Sequence, residues 1–309
     1  MKFYLHCTSD FSSWLSQPAT FLFNDRNHLL LQSKKGWHVF EFRESKTDKT
    51  SARISFNIKS GEAQSPLHAP FGSVEVYRKM KDIQLKEFLE KVQSELMSMG
   101  VTKIIIRNFP DLYDEHLSQT VSQTMRSLRF SCREEISSII QVDEKAFERK
   151  IKASERQKLK KATALFQIDR VGVSDLKLIY SFIADCRKER NQSLSMTLLE
   201  LNKTISVYPE QFYFFKTIRN NEIAAAAIVI QISKDVLYTF YYAHAKKHNR
   251  VSPVVFLISS IYEFATVNKF NMIDLGTSMI DGHINQSLLH FKKSIGGVSC
   301  SKFTYTRSL

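Results

Sequence analysis

Short runs of aromatic and β-branched residues, separated by polar turns, fill the first 60 residues and predict strands at 20–23, 28–32, 37–43 and 53–58. The loop Ser65-Pro66-Leu67-His68-Ala69-Pro70-Phe71-Gly72 leads into a further strand at 73–77. Apolar positions then recur at helical spacing over 81–99, and Gly100 stands where a left-handed residue would end that helix. The run Ile104-Ile105-Ile106 reads as a strand covered on both faces. A helix at 114–128 and a strand at 130–142 complete the first half.

Asp143 stands as the N-cap of a basic helix extending to residue 165. Beyond it the pattern gives a strand at 166–171, a helix from Ser174 to Arg190, and another helix at 196–207. Strands at 212–219, 223–232 and 236–243 have the spacing of an antiparallel meander. Ser252-Pro253 is a cap followed by proline at the first helical position, and the helix it opens is apolar on most faces, as a buried helix is. A strand at 272–275, a short helix at 285–293 and a strand at 298–305 end the chain.

Each half closes in the same order: strand, helix, short apolar strand, helix, strand. The two short strands begin at Ile104 and Ile273, an offset of 169 residues. This order predicts an α/β protein with mixed (α+β) sheets, built as two tandem domains related by internal duplication. The expected boundaries are 1–142 for the first domain, 143–165 for a basic linker helix, and 166–309 for the second.

Composition narrows the function. The 23 Phe and 11 Tyr among 309 residues provide enough large side chains for a core and exclude a disordered chain. No apolar run approaches the roughly 18 residues of a membrane helix, and the first ten residues lack a signal-like run, so a soluble, cytoplasmic protein is expected. Cys7, Cys132, Cys186 and Cys300 form no Cys-x-x-Cys pair, which argues for structural thiols over a disulfide framework or zinc ribbon. The net charge of +13 favours anionic partners. It is concentrated between Lys145 and Lys161, where eight basic residues face Glu148 and Glu155; residues 284–309 hold four more and no acid. Helix-turn-helix and zinc-finger spacings do not occur, so sequence-specific DNA reading is not expected.

A meander that feeds a helix and then another strand is the layout of the GNAT acyltransferase fold, in which two neighbouring strands diverge and a backbone N–H in the gap polarises an acyl carbonyl. GNAT enzymes that use acetyl-CoA hold its pyrophosphate on a Gly-rich turn at the next helix. The matching turn here, Lys246-Lys247-His248-Asn249-Arg250-Val251-Ser252, has no glycine, and none occurs between Gly172 and Gly276. Lys246, Lys247 and Arg250 are the side chains left to meet the phosphates of an anionic donor, or they are plain surface charge. Tyr242 and His244 end the diverging strand, where they face the cleft or the core. Asp274 ends the following strand, to orient an amine or to hold the loop at Gly276. His244 and His248 stand four apart without the glutamate of a zinc motif, so no metal is expected. His68 is a lone histidine.

Three segments resemble the ending of the FemABX-like family of tandem GNAT domains: Asp274-Leu275-Gly276-Thr277-Ser278, the stretch from Asn285 to Leu289, and Phe291-Lys292-Lys293-Ser294-Ile295-Gly296-Gly297. Ala69-Pro70-Phe71-Gly72 resembles that family's proline-and-glycine loop, and Arg156-Gln157-Lys158-Leu159-Lys160-Lys161-Ala162 its basic helix. Arg187-Lys188-Glu189-Arg190 stands where members carry Arg-Lys-Gly, which makes Arg187 and Arg190 substrate-binding candidates. The resemblance implies transfer of an aminoacyl group from charged tRNA to an amine, without a covalent enzyme intermediate. It implies that Lys292 stabilises the oxyanion and that Phe291 lines the donor pocket; the alternative is a lysine pair placed at a helix C-terminus for its dipole. The inserted coiled-coil arm of some members is missing, since no long heptad run occurs. The expectation is therefore an N-acyltransferase that takes an acyl or aminoacyl group from an anionic donor to an amine acceptor and requires no cofactor. Its rivals are an acyl-CoA-dependent GNAT acetyltransferase with a non-standard phosphate site, and a non-catalytic binding module of the same fold.

Overall fold

Strand β1 (Phe3–Thr8) pairs antiparallel with β2 (Trp37–Glu44), and β2 with β3 (Thr50–Lys59), in a computed structural model that describes residues 2–10 and 17–309. β4 (Glu62–Ser65) and β5 (Glu75–Val76) each pair antiparallel with β3, and β6 (Lys103–Arg107) runs parallel to β4. The chain's last strand, Val298–Ser308, pairs antiparallel with β6. These elements make one compact unit, Met1–Glu135 with Cys300–Leu309; Ile136–Ser299 is the other.

In the first unit, α1 (Arg26–Gln32) occupies residues whose apolar run predicts a strand. The Asp25 carboxylate accepts the Asn27 N–H at 3.0 Å, which caps a helix, and Leu29 buries against Trp37 and Val39. The predicted strand at 20–23 is likewise a 3-10 turn, Leu22–Asn24. Two longer helices, α2 (Asp82–Ser98) and α3 (Glu115–Ser127), form where periodicity predicts them. The stripe Leu85, Phe88, Leu89, Val92 and Leu96, joined by Val121 and Met125, packs on Phe40, Phe42, Phe56, Ile104 and Tyr305. Burial of each such side chain contributes roughly 1.5–3 kcal/mol. A buried ion pair, Arg53–Glu75 at 2.9 Å, ties residues 17–21 to this sheet: Arg53 donates to the Gln17 carbonyl, and Glu75 accepts the Thr20 N–H.

Within the second unit the strand order is β7 (Ser131–Gln141, from Ile136 onward), β12 (Met272–Thr277), β11 (Val236–His244), β10 (Glu222–Gln231), β9 (Phe212–Arg219), β8 (Gln167–Val171). All neighbours are antiparallel except β11 and β12. A two-stranded hairpin, β13 (Met279–Ile280) and β14 (His283–Ile284), follows β12, and the final strand is β15 (Val298–Ser308).

The helices are α4 (Ala153–Leu165), α5 (Leu176–Lys188), α6 (Leu198–Val207), α7 (Pro253–Val267) and α8 (Gln286–Ser294). α7 is buried, as its apolar faces require, and packs on Ala225, Ala227, Val229, Leu237 and Ile273.

Four expectations differ from the structure. The segment 143–165 lies inside the second unit, where α4 packs against α7, so it does not serve as a linker between units. The Asp143 carboxylate accepts the Lys145 N–H at 2.9 Å, but α4 begins only at Ala153, because Phe147 and Ile151 turn into the core first. Ser252 makes no side-chain cap; it sits in the left-handed region at φ +46°. The division at Ser299 and Cys300 also places the last ten residues with the first unit, since their edge partner is β6.

Candidate active site at the parting of two strands

β11 and β12 pair in parallel at only three positions, Val236 with Met272, Leu237 with Ile273, and Tyr238 with Asp274. Beyond them β11 continues to His244 on β10 alone, while β12 turns toward β7, where Thr277 pairs with Ser137. The two strands therefore part. A bulge marks the place, since Ile228 opposes Tyr241 and Val229 opposes Thr239, leaving Phe240 over.

The open edge can be assigned atom by atom. The Ala245 N–H donates to the Ala224 carbonyl at 3.0 Å, so Ala243 and Ala245 aim their backbone groups at β10. Alternation along an antiparallel strand then turns the N–H groups of Tyr242 and His244 to the side that β12 has left. The His244 carbonyl on that side accepts from Arg190 Nη2 at 3.0 Å, and Arg190 Nη1 donates to the Cys186 carbonyl at 2.7 Å. Arg190 is thus a brace from the end of α5 to the strand end. Two backbone amides pointed into a gap are the donor set that a developing oxyanion needs.

The end of β12 is built around Gly276, at φ +74°, where any other residue would be strained. The Asp274 carboxylate is buried and accepts the Gly276 N–H at 2.6 Å, and its carbonyl accepts from Thr239 Oγ1 at 2.9 Å. Asp274 therefore holds the loop at Gly276. Lys292 is 1% exposed, and its Nζ donates to the carbonyls of Gly276 at 2.7 Å and Thr277 at 2.8 Å. Asn285 caps α8 by accepting the Leu288 N–H, which sets the helix that carries Lys292. The glycines after it have a steric cause: at Gly297 a Cβ would stand 2.7 Å from the Lys292 carbonyl oxygen, and Gly296 has φ +89°. Phe291 is half-buried against the core beneath α7.

Tyr238 and Tyr242 lie between Asp274 and Arg187. Burial, then the Asp274 charge, raises the Tyr238 phenol; burial pushes Tyr242 up to about 12 against the pull of Arg187. Both phenols are neutral at physiological pH. Arg187 Nη1 donates to Gln192 Oε1 at 2.8 Å. The His244 ring shares a hydrogen bond with Asn249 at 2.8 Å, and burial lowers its pKa. Tyr241, on the opposite face from Tyr242, bonds Ser195 Oγ at 2.7 Å and accepts the Met196 N–H at 2.9 Å, clamping the loop between α5 and α6 to β11. Tyr238 and Phe240 escaped the sequence reading, because a bulge leaves no local signal.

The turn before α7 does not gather its cations into one cradle. Lys246 donates to the Glu189 carbonyl, Lys247 pairs with Glu222, and Arg250 is exposed. His248 packs edge-on against Phe166, and His68 is exposed in its loop with its backbone N–H on Gln32. Among the described residues no group of three or more His, Cys, Asp or Glu side chains is placed to hold a metal, and no helix is long and apolar enough to cross a membrane. Burial raises the thiols of Cys132 and Cys186, and that of Cys7 to about 11, away from nucleophilic use.

The fold is found in known structures. The chain has the fold of FemX and of tandem GNAT proteins. A crystal structure of FemX covers 93% of this chain and 92% of its own at 11% identity, with a TM-score of 0.68. A tandem GNAT protein from the clavulanic acid biosynthesis pathway matches at TM-score 0.52 and 8% identity, over 88% of this chain and 82% of its own. The C-terminal domain of an Agrobacterium fabrum protein assigned as a lysylphosphatidylglycerol synthetase matches at 0.57 and 12% identity, over 89% and 85%. No protein-family model matches the chain, and no curated protein matches its sequence. At such identities the likeness is one of fold.

Proposed function

We propose that the protein is an N-acyltransferase whose acyl slot is the gap between β11 and β12. The observation that carries this reading is the pair of outward-turned amides, Tyr242 and His244, on the edge that β12 leaves. A donor carbonyl laid into the gap would be polarised by these N–H groups and attacked directly by a neutral amine; the amides would stabilise the oxyanion of the tetrahedral intermediate, which collapses to the amide as the bond to the carrier oxygen or sulfur breaks and the leaving carrier takes up the proton the amine gives up. Loss of one such donor costs about 2.7–4 kcal/mol of barrier in hydrolytic enzymes, so two suffice as the main electrostatic device.

Lys292 is assigned a positioning role here. Its ammonium fixes the Gly276 and Thr277 carbonyls, and with them the wall of the gap on the β12 side. Asp274 holds the same loop from its other face, while Arg187, Tyr242 and His244 line the β11 side.

The donor is taken to be an anionic carrier such as charged tRNA, as the FemX likeness and the net positive charge suggest. The second reading, acyl-CoA, has one observation in its favour: Ser252 adopts the left-handed backbone that a glycine would give the turn before α7. Pro253 removes an N–H from that turn, and Lys246 and Lys247 are engaged elsewhere, which weighs against it. The test is acyl transfer to a panel of amines from aminoacyl-tRNA and from acetyl-CoA, with thermal unfolding in each donor. A bound donor at about 100 times its Kd stabilises the fold by about 2.7 kcal/mol. A shift with acetyl-CoA alone would replace the tRNA reading; neither turnover nor a shift with either donor would make the protein a non-catalytic module.

A further inference from the structure

A cleft of about 570 Å³ lies wholly within the first unit, between the end of β5 and the first turns of α2 and α3. Its size is that of a small-molecule site. Val76, Met80 and Leu117 line it as half-buried side chains packed on the core, and Leu85 beneath them is buried, so the floor is apolar. One rim is the loop from β5 to α2, which presents Arg78, Lys79 and Lys81, all exposed. Among the described residues these three make no ion pair, although thirteen pairs form elsewhere in the chain.

Two carboxylates also line the cleft, and both are engaged at the helix ends. Asp114 accepts the Leu117 N–H at 2.9 Å as the cap of α3, and Asp82 accepts from Thr120 Oγ1 at 3.3 Å. The three cations have no comparable engagement.

We propose that this cleft binds an organic anion, with its apolar body on Val76, Met80, Leu85 and Leu117 and its phosphate or carboxylate held by Arg78, Lys79 and Lys81. An apolar floor beneath a cationic rim selects against bare inorganic anions, which gain nothing from the floor, and against neutral apolar molecules, which gain nothing from the rim. The site is independent of the gap between β11 and β12, since none of its residues belongs to that unit.

The test is calorimetric titration of the full chain with phenyl phosphate, with inorganic phosphate as the anion lacking a body. Phenyl phosphate is expected to bind one per chain and more tightly than inorganic phosphate. The R78Q/K79Q/K81Q variant, which changes exposed residues only, is expected to weaken it by about tenfold or more, the scale of losing charge-assisted hydrogen bonds. M80E, which places a negative charge in the floor and keeps the cations, is expected to give a similar loss. K152Q/K160Q/K161Q, which removes as much charge from α4, is expected to leave binding unchanged. Wild type that fails to bind phenyl phosphate, equal affinity for both phosphates, or an equal loss from the α4 variant would each overturn the proposal.

Discussion

Replacing Lys292 with Met keeps most of the side-chain volume and removes the ammonium, so it isolates the polar part of the contact. In the native state Nζ supplies two hydrogen bonds, at 2.7 and 2.8 Å, to the Gly276 and Thr277 carbonyls, from a side chain that is 1% exposed. Hydrogen bonds from a charged donor contribute about 1.5–3 kcal/mol each, which puts the gross loss at about 3–6 kcal/mol. Met does not carry the desolvation cost of a buried ammonium, and this offset brings the net expectation to about 2–4 kcal/mol of destabilisation. For a unit the size of Ile136–Ser299, about 3 °C per kcal/mol gives a fall in Tm of roughly 6–12 °C. Urea unfolding followed by far-UV circular dichroism measures the free energy, and calorimetry measures the Tm. A variant within about 0.5 kcal/mol of wild type, the range of ordinary surface substitutions, would refute the claim that this ammonium holds the end of β12. If such a variant also lost turnover, the ammonium would instead act on the reacting acyl group.

Ser252→Gly relieves a left-handed backbone at a residue whose side chain caps nothing, and is expected to raise stability by about 0.5–1 kcal/mol in urea unfolding. Thr197→Ala removes the side chain that accepts the Glu200 N–H at the start of α6, and is expected to cost about 1 kcal/mol in the same assay. His28 bonds Gln32 and meets the Phe23 ring edge-on, and burial lowers its pKa to about 4. The unfolded chain takes up this proton near pH 6.5 and the folded chain does not, so the stability His28 contributes is full above pH 6.5 and falls as pH drops toward 4, by about 1–3 kcal/mol. His28→Gln is expected to flatten that part of the pH–stability curve; an unchanged slope would assign the dependence to other groups.

Local patterning determined most of the elements. Periodicity placed α2, α3, α5 and α7 within a few residues, because a stripe such as Leu85, Phe88, Leu89, Val92 and Leu96 is visible in sequence. The meander β9 to β11 was legible for the same reason, since strand alternation and turn residues are local. The run His28-Leu29-Leu30-Leu31-Gln32 misled, because a short apolar run fits strand or helix and the Asp25 cap decides between them. The motif residues Asp274, Gly276, Lys292 and Gly297 stand out in the sequence as a group. Holding the loop at Gly276 was one of two roles the sequence left open for Asp274; that Lys292 spends its polar atom on the same loop is shown only by the fold.

The sequence by itself determined where most of the strands and helices form, because those depend on neighbours within a few positions. Three matters were left to the tertiary structure. One is that residues 304–308 pair with β6, a strand distant in sequence. Another is that β11 and β12 part after Tyr238, with β11 keeping β10 and β12 keeping β7 as its partner. The third is that the amides of Tyr242 and His244 point into the gap, since a backbone N–H is the same in every residue and only strand pairing decides which way it faces.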